Sequence, residues 1–293
     1  MVTKSSFNFF LFILVTIGPA VSIVLALIGY PLIYTISLSF FNRSIIHPEP
    51  RFVFISNYIS LLSSPTFYRV LYNTLYWTAL NVVATTGLGL ITAILLADAS
   101  LKGLKIFRPI LLIPWAISVP GYVTWVWMMN SDYGIFNEIL KSLGLISHYI
   151  SWLSEGKLAL IGCTIANTWH MYPYMCSMIL AGILSIPNEI LEAANIDGAG
   201  SLKRFLYITL PLISPNLLVA MCLYTIWTMN SFAPYIMIPG GLGGAAETLP
   251  IYAYKMFFQR YEFSKGATAA SILFMMNLAL AVSYLRFLMR RWK

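Results

Sequence analysis

Six stretches of the chain carry no Asp, Glu, Lys or Arg: residues 5–42, 70–97, 109–131, 158–188, 205–246 and 266–285. About 20 apolar residues are enough to cross a bilayer core roughly 30 Å thick. In hydrocarbon the backbone has no water to bond, so each run closes its hydrogen bonds internally as a helix. The pattern therefore predicts an all-α, polytopic membrane protein with six transmembrane helices, at about residues 10–40, 70–97, 109–129, 158–185, 212–237 and 267–288. With only 10% charged residues, a soluble globule is excluded. The first run is far longer than the roughly 7–15 apolar residues of a signal peptide and reads as a retained span. Gly18 with Pro19, and Pro31, are expected to kink it or mark its ends.

Six spans put both termini on one side. The segments on that side (1–8, 98–108, 186–211 and 286–293) hold ten of the 18 Lys and Arg, at roughly twice the density of the opposite segments, which makes that side cytoplasmic. The net charge of +8 then reads as topology and lipid anchoring, not nucleic-acid binding. Cys163, Cys176 and Cys222 lie inside spans four and five at no ligand spacing and read as small apolar packing groups, with no metal site. We divide the chain into an N-terminal helix and external loop (1–69), a membrane core (70–288) and a basic tail (289–293). Span three carries Pro114 and Pro120, whose freed carbonyls need partners, so it is expected at an interior surface or packed against protein.

Between spans four and five lies a polar segment, "EAANIDGAGSLKRFLYITLP", residues 192–211. Its chemistry reads as two short helices. Asn188 offers an N-cap with Glu189 in the first turn, and Ile190, Leu191 and Ala194 share a face. Asp197 and Gly198 end the first helix through a left-handed residue. Ser201 caps the second, which runs to Tyr207, and Pro211 resets the chain for span five. Helices this short need a surface to pack on, either their own membrane domain or a partner.

The spacing is specific: Glu192-Ala193-Ala194, three residues, Gly198, nine residues, Ile208, one residue, Leu210-Pro211. It resembles the EAA loop (188–211 here) of ATP-binding-cassette importer permeases. The stretches "NYISLLSSPTFYRVLYNTLYWT", "NSDYGIFNEIL", "NTWHMYPYM" and "PGGLGGAAETLPIYAYKMFF" are similar to the carbohydrate-uptake branch, in particular its maltose-type first permease subunit. The likeness covers about residues 55–290 and departs in span three, where "PWAISVPGY" sets its second proline late. The resemblance implies a type I importer transmembrane domain with cytoplasmic coupling helices, whose loop residues Glu192, Ala193, Ala194, Gly198, Ile208, Leu210 and Pro211 dock on a separate ATPase. It further implies a second permease, two ATPase subunits and an extracytoplasmic sugar-binding protein as partners. ATP would be bound by the ATPase subunits, and this chain would carry no cofactor.

A pathway for cargo is expected where polar side chains gather at mid-membrane. Asn167, His170, Met171 and Tyr174 repeat at i, i+3, i+4, i+7 in span four. Tyr224 and Thr228 make a second stripe in span five with Asn230 beyond it, and Trp115 and Ser118 offer a third. Neutral donors beside aromatic faces suit a sugar. The resemblance implies sugar contact at Asn167, His170, Met171, Tyr224, Thr228 and near Trp115. Read alone, His170 and Asn167 serve equally as interhelical hydrogen-bonders. Glycerol phosphate or a polyol stays open as cargo. An ion-coupled carrier is disfavoured because the spans hold no Asp, Glu, Lys or Arg apart from Arg286 at a cytoplasmic end. An enzyme is disfavoured because no catalytic constellation is present. "SEGK" lacks the first glycine of a P-loop, and Leu158 stands where Ser or Thr belongs, so the motor is expected to be borrowed.

Overall fold

The computed structural model describes residues 4–98, 103–117, 119–154, 156–238, 244 and 246–291. Among them, four helices are long and apolar enough to cross a membrane: Gly18–Leu38, Pro65–Ala97, Ser201–Met229 and Phe263–Arg290. Two bent pairs, Ile106–Ala116 with Val119–Met128 and Lys157–Leu184 with Asn188–Ile196, bring the number to as many as six. All six expected spans thus have a helical counterpart, and three of them differ in construction from the expectation.

The first span is shorter. Helix α1 (Lys4–Thr16) stops at Ile17, and α2 (Gly18–Val24) restarts with Pro19 in its first turn, where a missing N–H costs nothing. Pro31 does not end this span, which continues to Leu38. A π turn, Leu25–Gly29, joins α2 to α3 (Tyr30–Leu38), closed by the Tyr30 N–H on the Leu25 carbonyl. The wider turn moves the carbonyl that the proline ring would strike in an α-helix.

The chain divides into two compact units, one running up to Phe67 with Tyr252–Leu273, the other covering Tyr68–Ile251 with the stretch from Phe274. In the first, strands β1 (Phe41–Asn42) and β2 (Arg51–Phe52) pair antiparallel. Helix α4 (Ser56–Leu62) ties down their base: Asn57 Nδ2 donates to the Ser39 and Phe41 carbonyls at 2.8 Å each, and Tyr58 pairs with Ser39 Oγ at 2.7 Å. The Arg43 N–H reaches Ser264 Oγ at 2.8 Å, fixing the strand pair to the later segment of the same unit.

The second unit is built on α5 (Pro65–Ala97), which at 33 residues is about 50 Å long and outreaches the bilayer core. The chain continues through α6 (Leu104–Leu111), α7 (Ile113–Ala116), α8 (Val119–Met128), α9 (Ile135–Ser142), α10 (Gly156–Leu184), α11 (Asn188–Ile196), α12 (Ser201–Arg204), α13 (Leu210–Met229) and α14 (Ala233–Met237). Beyond lie α15 (Leu249–Tyr254) and α16 (Phe263–Arg291), which cross the division between the units. Cys163 and Cys176 are packed in the apolar core of the second unit.

The segment between α8 and α10 ties itself around Asn137, which is fully buried. Its Oδ1 accepts from the Ile150 N–H (3.1 Å) and Trp152 Nε1 (3.0 Å), and its Nδ2 donates to the Ile150 (3.0 Å) and Asn130 (3.3 Å) carbonyls. Gly134 is required in the same turn, because a Cβ there would sit 2.3 Å from the Asn130 carbonyl. Asn137→Ala should therefore loosen this segment by about 2–3 kcal/mol, since buried partners lose their bonds. Limited proteolysis between residues 131 and 152 should accelerate while the membrane helices stay protected.

Candidate functional site

One face of α5 carries Asn73, Trp77, Asn81, Thr85, Gly89 and Ala93, a strict i+4 series that is buried throughout. Side chains four apart stack on one helix face, and here they reach successive partners. Asn73 Nδ2 donates to the Glu247 carbonyl (3.0 Å), and Trp77 Nε1 to the Thr228 carbonyl (3.0 Å). Asn81 Nδ2 donates to the Trp77 carbonyl (2.8 Å) and Thr164 Oγ1 (3.2 Å), and its Oδ1 accepts from Asn167 Nδ2 (2.7 Å). Thr85 Oγ1 pairs with the Tyr224 hydroxyl at 2.8 Å. Gly89 lets α10 close in, since a Cβ would lie 2.8 Å from Met175.

This ladder decides where the expected stripes point. Asn167 spends its second N–H on the Tyr224 hydroxyl (3.1 Å), and its Oδ1 accepts from Tyr122 (2.6 Å), so its amide is fully engaged inside the chain. Tyr224 and Thr228 are 1% and 2% exposed. The two stripes therefore do not form one polar face open to cargo. Asn167, Tyr224 and Thr228 point inward, because a buried amide or phenol in a membrane core needs partners at once.

The remaining residues sit nearer the surface. In α7 Trp115 is 46% exposed, and Ile117 after it is extended, so span three is broken and not merely kinked. Ser118 lies outside the described residues. Beside the break, His170 Nδ1 meets the Pro114 carbonyl at 2.7 Å. A carbonyl only accepts, so Nδ1 carries the proton and Nε2 of the neutral ring is left as an acceptor. The Tyr122 ring meets His170 edge-on with centroids 5.1 Å apart, linking this imidazole to the sealed network. Met171 is half-buried against the core. Asn230 caps the end of α13, exposed, with Nδ2 on the Ile226 carbonyl at 2.8 Å. Spacing alone did not single out Trp227. It is 47% exposed, and its ring lies 4.9 Å from Tyr174, whose other neighbour is Trp115 at 6.0 Å. Trp115 of α7, Tyr174 of α10 and Trp227 of α13 thus make an aromatic ledge, in which the two tryptophans are the exposed rings and Tyr174, on the same helix as His170, is buried between them.

The polar segment folds as the punctuation implies, with shifts. Pro187 and Gly200, extended at ψ 135° and 160°, occupy the N-cap positions, so Asn188 and Ser201 are first helical residues and cap nothing. Gly198 takes φ +73°. Its N–H bonds the Asn195 carbonyl (3.1 Å) and the Ala199 N–H bonds that of Ala194 (3.0 Å), a complete Schellman closure. Arg204 Nη1 donates to Asn195 Oδ1 at 2.6 Å and braces the two helices. The second does not end at Tyr207. It runs through a π turn, Phe205–Thr209, into α13 as one 29-residue helix, with Pro211 absorbed as Pro31 is. Leu191 and Ala194 pack inward on the core, so the expected shared face of Ile190, Leu191 and Ala194 is mostly covered. Glu189, Glu192, Ala193 and Ile196 form the open face at i, i+3, i+4, i+7, with Ile196 86% exposed. Ile208 and Leu210 are half-buried, Leu210 against the core, and Pro211 is exposed.

A family model described as a binding-protein-dependent transport system inner membrane component matches residues 3–292. The chain belongs to that family. Among members of known designation, the trehalose/maltose transport system permease protein MalF of Thermococcus litoralis is 34% identical over 270 residues, covering 92% of this chain and 90% of that one. The sulfoquinovosyl glycerol transport system permease protein SmoG of Agrobacterium fabrum is 32% identical over 274 residues, covering 92% and 88%. The fold matches a chain of a bacterial ABC transporter that imports the polysaccharide alginate, with TM-score 0.83 at 20% identity over 98% of this chain and 97% of that one. The protein is thus an all-α, multi-pass permease of the type I importer fold, from a family of transport-system membrane components.

Proposed function

We propose that this permease conducts a neutral sugar and is driven by ATP hydrolysed on separate subunits. The exposed rings of Trp115 and Trp227 on this ledge, backed by the buried Tyr174, carry the cargo class with the His170 imidazole. Flat aromatic faces stack on the apolar face of a sugar ring, and Nε2 accepts from a hydroxyl. Asn167, Tyr224 and Thr228 act behind it as supports, while Met171 and Asn230 flank it. The relative that handles trehalose/maltose supports a neutral glycoside cargo. A phosphate or sulfonate would want a cationic partner, and the ledge offers no Lys or Arg.

In this reading the segment 188–211 docks on an ATPase through Glu189, Glu192, Ala193 and Ile196. Ala194 and Leu210 anchor it inward, Gly198 sets its turn, and Ile208 and Pro211 lead into α13. Both termini lie in the cytoplasm. A second permease, two ATPase subunits and an extracytoplasmic sugar-binding protein complete the assembly, and ATP stays on the ATPase subunits.

Reconstitution tests this. Alone, the chain should neither bind nor hydrolyse ATP. With its partners, hydrolysis should rise when the binding protein is loaded with trehalose or maltose. ATPase activity of the isolated chain, or uptake that collapses with the proton gradient while ATP is held constant, would overturn the proposal. Within the working complex, His170→Phe should lower sugar transport about two- to tenfold, the worth of one hydrogen bond to a neutral group, with ATPase attachment unchanged.

A further inference from the structure

The helix from Ser201 to Met229 is stiffly held at one end and braced as a lever at the other. On the α13 side, Ile213 is 1% exposed, and the Tyr224 hydroxyl and Thr228 carbonyl are bonded to α5. Gly182 of α10 brings that helix against Ile213 and Asn216, within 3.1–3.5 Å of where a Cβ would stand. On the other side, α11 and α12 are locked together by the Schellman closure and the Arg204–Asn195 bond. Between the two lies the π turn, closed by the Leu210 N–H on the Phe205 carbonyl.

Prolines weaken the ladder just beyond that turn. Pro211 has no N–H to give, and neither has Pro215, whose missing donor is replaced by Ser214 Oγ on the Pro211 carbonyl at 2.8 Å. Beside the turn is a cavity of about 480 Å³, lined by Leu95, Ala97, Leu191, Arg204, Phe205 and Thr209 among others. The cavity is half open to the surface, and a cleft of this size against a π turn gives a braced lever somewhere to go; π turns recur at functional sites.

We propose that the π turn Phe205–Thr209 is a joint on which the α11–α12 hairpin tilts into this cavity during the transport cycle. The proposal rests on the reading of the hairpin as the ATPase dock and names the device that passes its motion to α13. Hinges are short stretches that absorb a backbone change between rigid bodies, and this turn is such a stretch.

The test uses the complete complex. Spin labels at Asn188→Cys and Val219→Cys, with Cys222→Ser, report the hairpin-to-α13 distance without nucleotide and with vanadate-trapped ADP. The distance should change between the two states. Leu95→Trp and Ala97→Trp, which fill the cavity from α5, should hold it constant and lower transport about tenfold or more, with ATPase recovered at wild-type yield. An invariant distance in the chain with an open cavity overturns the joint, and that arm stands even if a Trp variant fails to fold. Trp variants that move and transport normally also overturn it. So do variants that shed the ATPase, because the cavity wall would then belong to the dock. A wild-type complex that never retains the ATPase overturns the docking reading as well, and it is recognised before any label is introduced.

Discussion

A Gly198→Asp variant is expected to fold and insert at close to wild-type yield, yet lose about tenfold or more of its sugar-stimulated ATP hydrolysis, within the range of a coupling free energy between two sites. Space is not the obstacle, because a Cβ at Gly198 would meet no atom within 4 Å. Conformation is. At φ +73° an L-residue costs about 1 kcal/mol, the low end of the left-handed penalty, since Asp tolerates that region better than most. A whole membrane domain absorbs that easily. The two bonds that close α11 depend on the same φ, so relaxing it unlocks α11 from α12 and re-aims the open face of Glu189, Glu192, Ala193 and Ile196. Gly200 is the control. It too has nothing within 4 Å, but at φ −63° it needs no glycine, so Gly200→Ala should be silent. Complex recovery and the ratio of sugar moved to ATP hydrolysed separate the outcomes. An unchanged ratio in fully assembled Gly198→Asp would mean that the hairpin does not couple.

The largest stability effect is expected one turn beyond Thr85, the last polar rung of the ladder. Gly89→Ala should cost about 3 kcal/mol, the upper part of the range for overpacking. The new methyl would lie 2.8 Å from Met175 Cβ and Cγ and 3.1 Å from the Cys176 N, and backbone cannot yield as a side-chain tip can. Lifting α5 off α10 here also strains the Asn81–Asn167 bond two turns away. Gly87→Ala, two residues earlier with nothing within 4 Å, should be neutral or gain up to about 1 kcal/mol from helix propensity. Denaturant titration in mild detergent reads both, and equal midpoints for the two variants would contradict the packing seen at Gly89.

The long spans were legible because a charge-free run has few alternatives in a membrane. The hairpin was legible because Gly198 and Pro187 act through backbone geometry. Its N-caps were not. Asn188 and Ser201 look like caps by side chain, but the extended residue in each case is the one before, Pro187 or Gly200. Pro31 and Pro211 read as breaks, and a π turn ahead of each removes the clash without ending the helix. The pathway stripes were read one helix at a time. Which way Asn167 and Tyr224 point depends on α5, and the signal for that was present: Asn73, Trp77, Asn81 and Thr85 recur every fourth residue inside an apolar run. Trp227 gave no such signal, because a tryptophan in a membrane helix is as much at home against lipid as in a site.

The α5 ladder also bears on how the protein is made. Asn81 is synthesised 86 residues before Asn167, and Trp77 is synthesised 151 residues before Thr228. At about 5–20 residues per second, Asn81 waits about 4–17 s for its partner. Throughout that interval the Asn81 amide is bonded only to the Trp77 carbonyl of its own helix. With it, the Trp77 indole N–H and the Thr85 hydroxyl stand on one side of the helix without their partners on α10 and α13, a costly state in bare lipid. The helix that holds the finished core together therefore enters the bilayer with polar groups whose partners are not yet made. Its release from the insertion machinery should be delayed until α10 and α13 have emerged, and Asn81→Leu should release it early.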